Sequence, residues 1–89
     1  MKSYRSPEFN ELFWKLSKEV RTQTRKAYRQ FLKDPFHPSL QFKRLKGSSM
    51  WSVRIGSHYR AMGRRVSPDV IGWLWIGSHT EYDKETKLD

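Results

Sequence analysis

Arg54 and Arg60, followed by His79 and Tyr82, are the residues of this chain with the most chemistry to offer. Arginine stays protonated and presents a planar fork of N–H donors to phosphate oxygens. Histidine moves protons near neutral pH, and tyrosine can share that work where a neighbouring cation lowers its pKa. Such groups suit phosphodiester chemistry carried by side chains alone. RNA brings its own nucleophile, the 2′-OH. A protein need only align it, take its proton, stabilise the charge gathering on phosphorus and protonate the departing 5′ oxygen. Oriented charge is typically worth about 10² to 10³ in rate per donor, and a placed acid or base about 10² to 10⁴. Two or three such groups make a modest, selective nuclease.

Other chemistries have less to stand on. His37, His58 and His79 are isolated, with no HxxxH pair, no carboxylate cluster and no cysteine, so no metal site and no cofactor are expected. Serine, histidine and aspartate all occur, but there is no GxSxG-like elbow and no phosphate-loop motif. Lack of cysteine suits a reducing compartment. The opening MKSYRSPEF has no apolar run of signal-peptide type. The apolar run Val70–Ile76 is far short of the roughly 20 residues of a membrane span. The expected setting is the cytoplasm, away from membranes.

Charge narrows the partner. The formal net charge is +9, and residues 1–79 hold 16 Lys/Arg against 5 Asp/Glu, whereas residues 80–89 hold 2 against 4. The body should attract a polyanion while the tail is locally acidic. Nucleic acid is the first expectation; a charge serving solubility is the plainer one, since a basic surface alone rarely identifies a partner.

The elements that must position these groups are legible in the hydrophobic period. Trp51, Val53 and Ile55 alternate with Ser52 and Arg54, as in a half-buried strand. After a polar connection at Gly56-Ser57-His58, Tyr59–Val66 resumes the extended pattern, with Arg60, Met62 and Arg64 on one side. Ser67-Pro68-Asp69 is a turn. Val70–Ile76 is almost wholly apolar, as in a strand buried on both faces. Met50–Tyr82 thus reads as a three-strand meander, with Arg54 and Arg60 near neighbours across a hairpin and bordering an aromatic-floored groove.

The first 45 residues read as scaffold. Lys2–Arg5 is a short edge strand. Ser6-Pro7-Glu8 starts a helix, whose Phe9, Leu12, Phe13 and Leu16 form one apolar stripe. Ser17 caps a second helix, Lys18–Lys33, which buries Val20, Ala27 and Phe31 with help from Tyr28, Leu32 and the methyl of Thr24. Asp34-Pro35 closes it. Arg21, Arg25 and Arg29 step by four along another face, suiting an anionic partner, either RNA or an acidic protein segment, or else forming a solvated face with apolar stems. In Leu40–Lys46, Leu40, Phe42 and Leu45 can pack inward, leaving Lys43, Arg44 and Lys46 at the approach to the meander. At 89 residues the chain is expected to form one domain, 1–89, whose 13 aromatics supply a dense core.

The order helix, helix, LxFKRLKG, WSVRIGxxYRAMG, WLWIGSHxEYD resembles the RelE/ParE superfamily of bacterial toxins, and its RelE-like branch in particular, from about Tyr4 to Lys84. The resemblance implies an α+β fold in which two N-terminal helices pack on a twisted antiparallel sheet of three to four strands. It also implies a ribosome-dependent mRNA endoribonuclease that works by 2′-OH attack and is neutralised by a cognate acidic antitoxin. Arg54 matches a basic position before the hairpin, Arg60 the arginine of a YR pair, Tyr82 a late tyrosine, and His79 a position held by His or Arg. Lys43, Arg44 and Lys46 match a basic stretch expected to contact RNA or ribosome, and Arg64 is counted with them. Arg21, Arg25 and Arg29 are the candidate antitoxin contacts. Ser52 stands where some relatives carry a second catalytic lysine, which leaves His79 as the preferred proton-transfer residue. The few residues after Tyr82 leave no room for the C-terminal helix of some relatives. A gyrase-directed toxin of the ParE branch and a noncatalytic basic RNA- or protein-binding module are the competing expectations.

Overall fold

The computed structural model describes residues 1–86, so the last three residues of the acidic tail lie outside the described residues. Strand β1 (Lys2–Arg5) leads into helix α1 (Pro7–Trp14) and helix α2 (Lys18–Lys33). A 3-10 turn (Pro38–Leu40) and strand β2 (Lys43–Arg44) then precede the meander β3 (Met50–Ile55), β4 (Tyr59–Ser67) and β5 (Val70–Ser78), and helix α3 (His79–Thr86) is the last element of the described residues.

Both N-terminal helices start where their caps say. The Ser6 hydroxyl accepts from the Phe9 N–H at 3.0 Å with Pro7 in the first turn, and the Ser17 hydroxyl accepts from the Val20 N–H at 3.3 Å. Each hydroxyl satisfies a donor that would otherwise be orphaned at a helix start. Asp34, in extended conformation, ends α2.

The sheet has five strands in the order β1-β5-β4-β3-β2, and it is mixed: β1 runs parallel to β5, and the other pairings are antiparallel. The parallel edge and the two-residue β2 account for the strands beyond the three or four expected. Register puts Trp51, Val53, Ile55 and Ala61 on the face that meets the helices, where they join Phe9, Phe13, Phe31, Leu40, Phe42, Ile71, Trp73 and Ile76 in one core. Phe31 stands edge-on to both Phe42 and Trp73, at 5.1 and 5.5 Å between centroids, within the usual range for aromatic pairs.

Two burial expectations need correction. Tyr28 and Leu32 are exposed instead of helping to bury α2; Tyr28 instead takes a hydrogen bond from the Ser3 hydroxyl of β1 at 2.9 Å. Strand β5 is not buried on both faces along its length, since Leu74 is exposed. The register shift opposite Met62/Gly63 inserts one extra residue there, a β-bulge, and turns Leu74 outward.

Helix α3 is a further correction, because the sequence was expected to have no room for a C-terminal helix. The helix starts before Tyr82 instead of after it. Ser78-His79-Thr80-Glu81 is a capping box: the Glu81 carboxylate accepts from the Ser78 N–H at 2.9 Å, and the Ser78 hydroxyl accepts from the Glu81 N–H at 3.2 Å. Among the described residues no helix is long and apolar enough to cross a membrane.

Candidate active site

The sheet face turned away from α1 and α2 carries three rows set by register. Lys43, Ser52, Met62 and Trp75 share one row, Arg54, Arg60 and Gly77 a second, and Met50, Arg64 and Gly72 a third. Helix α3 lies over the end of this face and lowers Tyr82 onto it, leaving the tyrosine 8% exposed. Gly77 makes that approach possible. A side chain there would meet the Trp75 ring at 2.5 Å and the Glu81 carboxylate at 3.1 Å.

Beneath Tyr82 lies an unusual cation. Arg60 is only 6% exposed, yet among the described residues no carboxylate comes within salt-bridge reach of it. Its guanidinium donates to the Ser52 hydroxyl at 3.1 Å, to the Gln41 carbonyl at 3.4 Å and to the Gln41 side-chain oxygen at 3.5 Å, and its Nε–H has no partner. It sits 5.1 Å from the centroid of the Tyr82 ring, within cation–π range. Buried charges are normally paired, because desolvation is expensive. A buried guanidinium held only by neutral acceptors is able to receive an anion, and none of the described residues supplies one.

Tyr82 donates its phenol proton to the same Ser52 hydroxyl at 3.2 Å, so fully buried Ser52 joins the arginine to the tyrosine. His79 stacks on Tyr82 at 6.3 Å between centroids and lies exposed at the rim, where its Nε2 is 3.5 Å from the Asp83 carboxylate one helical turn on. Arg60, Ser52, Tyr82 and His79 therefore form a continuous stack from the sheet floor to solvent.

Residues 18–84 match the ParE-like toxin domain, a span that includes α2, the whole meander and the Arg60–Tyr82–His79 stack. The chain belongs to the ParE-like toxin domain family. It is a toxin of the RelE/ParE superfamily, in the class that works within toxin–antitoxin systems. Its fold is similar to that of RelE in the RelB–RelE antitoxin–toxin complex of Methanococcus jannaschii, with a TM-score of 0.70 at 14% identity, covering 92% of this chain and 96% of that one. It is similar also to the YoeB/ParE toxin of Agrobacterium tumefaciens (0.67, 18%, covering 89% and 99%) and to the isolated RelE toxin of E. coli (0.66, 17%, covering 97% and 98%). No curated protein matches the chain significantly.

In this toxin domain the other expected residues divide. Arg54 pairs in register with Arg60, but its Nε–H turns to the Gly56 carbonyl at 2.9 Å, at the hairpin turn and away from the Tyr82 stack. Lys43 and Arg64 share Arg60's face by register, whereas Arg44 pairs with Trp51 on the opposite side and donates to the Ser48 carbonyl, and exposed Lys46 lies in the loop before β3. The arginines of α2 are not one free stripe. Arg21 donates to the Leu16 carbonyl at 2.5 Å and lies over Trp14, and Arg25 lies over Phe13. Both contacts fasten α2 to α1. Arg29 alone of the three remains on a groove wall without such a contact.

Three contributors escaped the sequence reading. Ser52 looked like a missing lysine and is instead the shared partner of Arg60 and Tyr82. Gln41 adopts a left-handed backbone at φ 44°, rare for a residue with a side chain, and so aims its carbonyl at Arg60; nothing in its type announces this. The capping box did leave a signal, the S-x-x-E spacing.

The capping box also gives the site a pH dependence. Hydrogen bonds from the Ser78 backbone N–H, then from its hydroxyl, hold the Glu81 carboxyl below the usual carboxylate range. A lowered folded pKa means that this contribution is complete above the unfolded value of about 4.3 and is lost as pH falls through the folded value. Ser78→Ala is expected to cost about 1 kcal/mol, and Glu81→Gln somewhat less. The melting temperature at pH 7 should fall for both variants. The Glu81→Gln deficit should shrink in acid; a deficit unchanged at low pH would show that the carboxylate charge is irrelevant to the cap.

Proposed function

We propose that this toxin is an endoribonuclease that cuts mRNA on the ribosome, with the Arg60 stack as its catalytic centre. The observation carrying this reading is the buried, carboxylate-free guanidinium of Arg60 beside a phenol and an exposed imidazole. A surface evolved only to block a partner has no use for a buried uncompensated charge, whereas a phosphoryl centre gathering negative charge does. In the reaction, the 2′ oxygen attacks the adjacent phosphorus as its proton passes to the imidazole of His79. The P–O5′ bond breaks, leaving a 2′,3′-cyclic phosphate, and the 5′ oxygen takes a proton from solvent water as it leaves, the hydroxide so formed being neutralised by the proton that His79 took up. Arg60 holds the non-bridging oxygens, replacing its weak bonds to Gln41 with charge-assisted ones. Because Tyr82 covers Arg60, its ring swings aside to admit the phosphate and then positions the neighbouring nucleotide. Lys43 and Arg64, on the same face, guide the strand.

The partner that would hold this activity in check is an acidic antitoxin, a reading supported by the basic charge of this chain and by the similar fold of RelE in the RelB–RelE antitoxin–toxin complex of Methanococcus jannaschii. The surface that suits it is a cavity of about 270 Å³ between α1, α2 and the sheet, walled by Phe9, Phe13 and Phe31 and edged by Arg5, Arg25 and Arg29. An apolar anchor flanked by carboxylates fits such a site.

Controlled expression with pulse labelling of protein and DNA synthesis tests the reading. Protein synthesis should stop first, with new 5′ ends appearing in ribosome-bound mRNA. DNA synthesis failing first, with translation intact, would overturn it in favour of a gyrase-directed toxin, the outcome that the ParE-like family match makes the natural rival.

A further inference from the structure

The two sides of α2 differ in kind. One side looks into the apolar cavity just described. The other borders a larger, open groove of about 780 Å³ against the β3–β4 hairpin, walled by Gln23, Lys26, Arg29, Gln30, Lys33 and Arg54, with no acidic residue among its lining. Gln23, Lys26, Gln30 and Lys33 recur at i, i+3, i+7 and i+10, one straight face of the helix. Ten residues of helix rise about 15 Å, room for several backbone phosphates. This is a different stripe from Arg21, Arg25 and Arg29, the first two of which are committed to α1.

At the hairpin end the groove closes on Gly56. Its φ of 58° and the Gln23 amide, which would stand 2.7 Å from any side chain added there, show backbone and amide in close approach. There the Gly56 carbonyl holds Arg54, whose register partner is Arg60. Arg54 thus belongs to the groove wall and, by register, to the row that holds Arg60.

We propose that this groove is a track for single-stranded RNA, in which Lys26, Arg29 and Lys33 take successive phosphates and Gln23 and Gln30 hydrogen-bond sugar or base edges. The proposal rests on the nuclease reading for the direction of the strand, toward Arg54 and Arg60. Its lining decides between polyanions. Protein partners need buried apolar or aromatic anchors, and here Ala27 and buried Leu40 are all the groove offers. Cations and amides without anchors fit a phosphodiester backbone, whose contacts are mostly positioning ones.

The test is the salt dependence of binding to a short fluorescein-labelled single-stranded RNA, followed by anisotropy. Each phosphate contact contributes a slope of about 0.7 in log K against log salt. Lys26→Ala/Lys33→Ala should flatten the slope by about 1.4 while leaving the fold intact, since both side chains are exposed and alanine favours helix. Lys15→Ala/Lys18→Ala, an equal charge loss on exposed residues elsewhere, should leave it nearly unchanged. Equal flattening by both pairs, or by neither, overturns the track. Loss of polyglutamate binding with the RNA slope intact also overturns it, giving the groove to an acidic protein segment. If the slope follows the groove pair but ribosome-bound mRNA stays uncut, the track stands and the nuclease reading falls; cleavage with no groove dependence gives the converse.

Discussion

Arg60→Met should yield a toxin that folds with close to the parent's stability and is inactive. The native guanidinium is buried, bonded only to neutral acceptors at 3.1–3.5 Å, and has an orphaned Nε–H. Replacing such buried charge by an apolar side chain of similar length is commonly neutral or stabilising by about 1–4 kcal/mol. The lost cation–π contact with Tyr82 takes back about 0.5–2 kcal/mol, so the two terms nearly offset, the net running from a loss of about 2 to a gain of about 3.5 kcal/mol. Cleavage of ribosome-bound mRNA should fall by about 10² to 10³, the usual cost of one oriented donor to a charged transition state. Arg60→Lys keeps the charge but not the fork and should recover little. Urea unfolding paired with a cleavage assay reads both quantities. A destabilised Arg60→Met variant that still cuts would make Arg60 a structural strut and remove the centre of the proposed mechanism.

That trade between stability and charge also explains which parts of the molecule were legible beforehand. The helices were readable because caps and apolar stripes act locally: Ser6-Pro7 and Ser17 fix the starts of α1 and α2 whatever else surrounds them. The meander was readable because a period of two determines which side chains share a face, which put Arg54 opposite Arg60. Side-chain direction was not readable. Register leaves Arg54 and Arg60 adjacent, yet a carbonyl at Gly56 draws one to the hairpin while Ser52 and Gln41 draw the other under Tyr82. The parallel β1–β5 edge depends on the long return of the chain, and the left-handed Gln41 on tertiary contacts overriding its ordinary preference. Likewise Arg21 and Arg25 looked like a binding stripe because spacing reports a shared helix face but not what α1 sets against it.

His79→Ala and Tyr82→Phe should separate proton transfer from positioning. His79 stands at the rim, its side chain 61% exposed, with Asp83 3.5 Å from Nε2 to orient the ring. Removing the imidazole costs the fold little there, since alanine favours a helix start no less than histidine does, but cleavage should drop by about 10² to 10⁴. Tyr82→Phe keeps the ring over Arg60 and against His79 and loses only the phenol's bond to Ser52, a cost of about 1 kcal/mol in stability. If Tyr82 positions without moving protons, its cleavage loss stays within about tenfold, roughly the equivalent of that single bond. Single-turnover rates on programmed ribosomes distinguish the cases. A Tyr82→Phe loss of about 10² or more beside a His79→Ala loss within about tenfold would transfer the proton to the phenol and reduce His79 to a stacking surface.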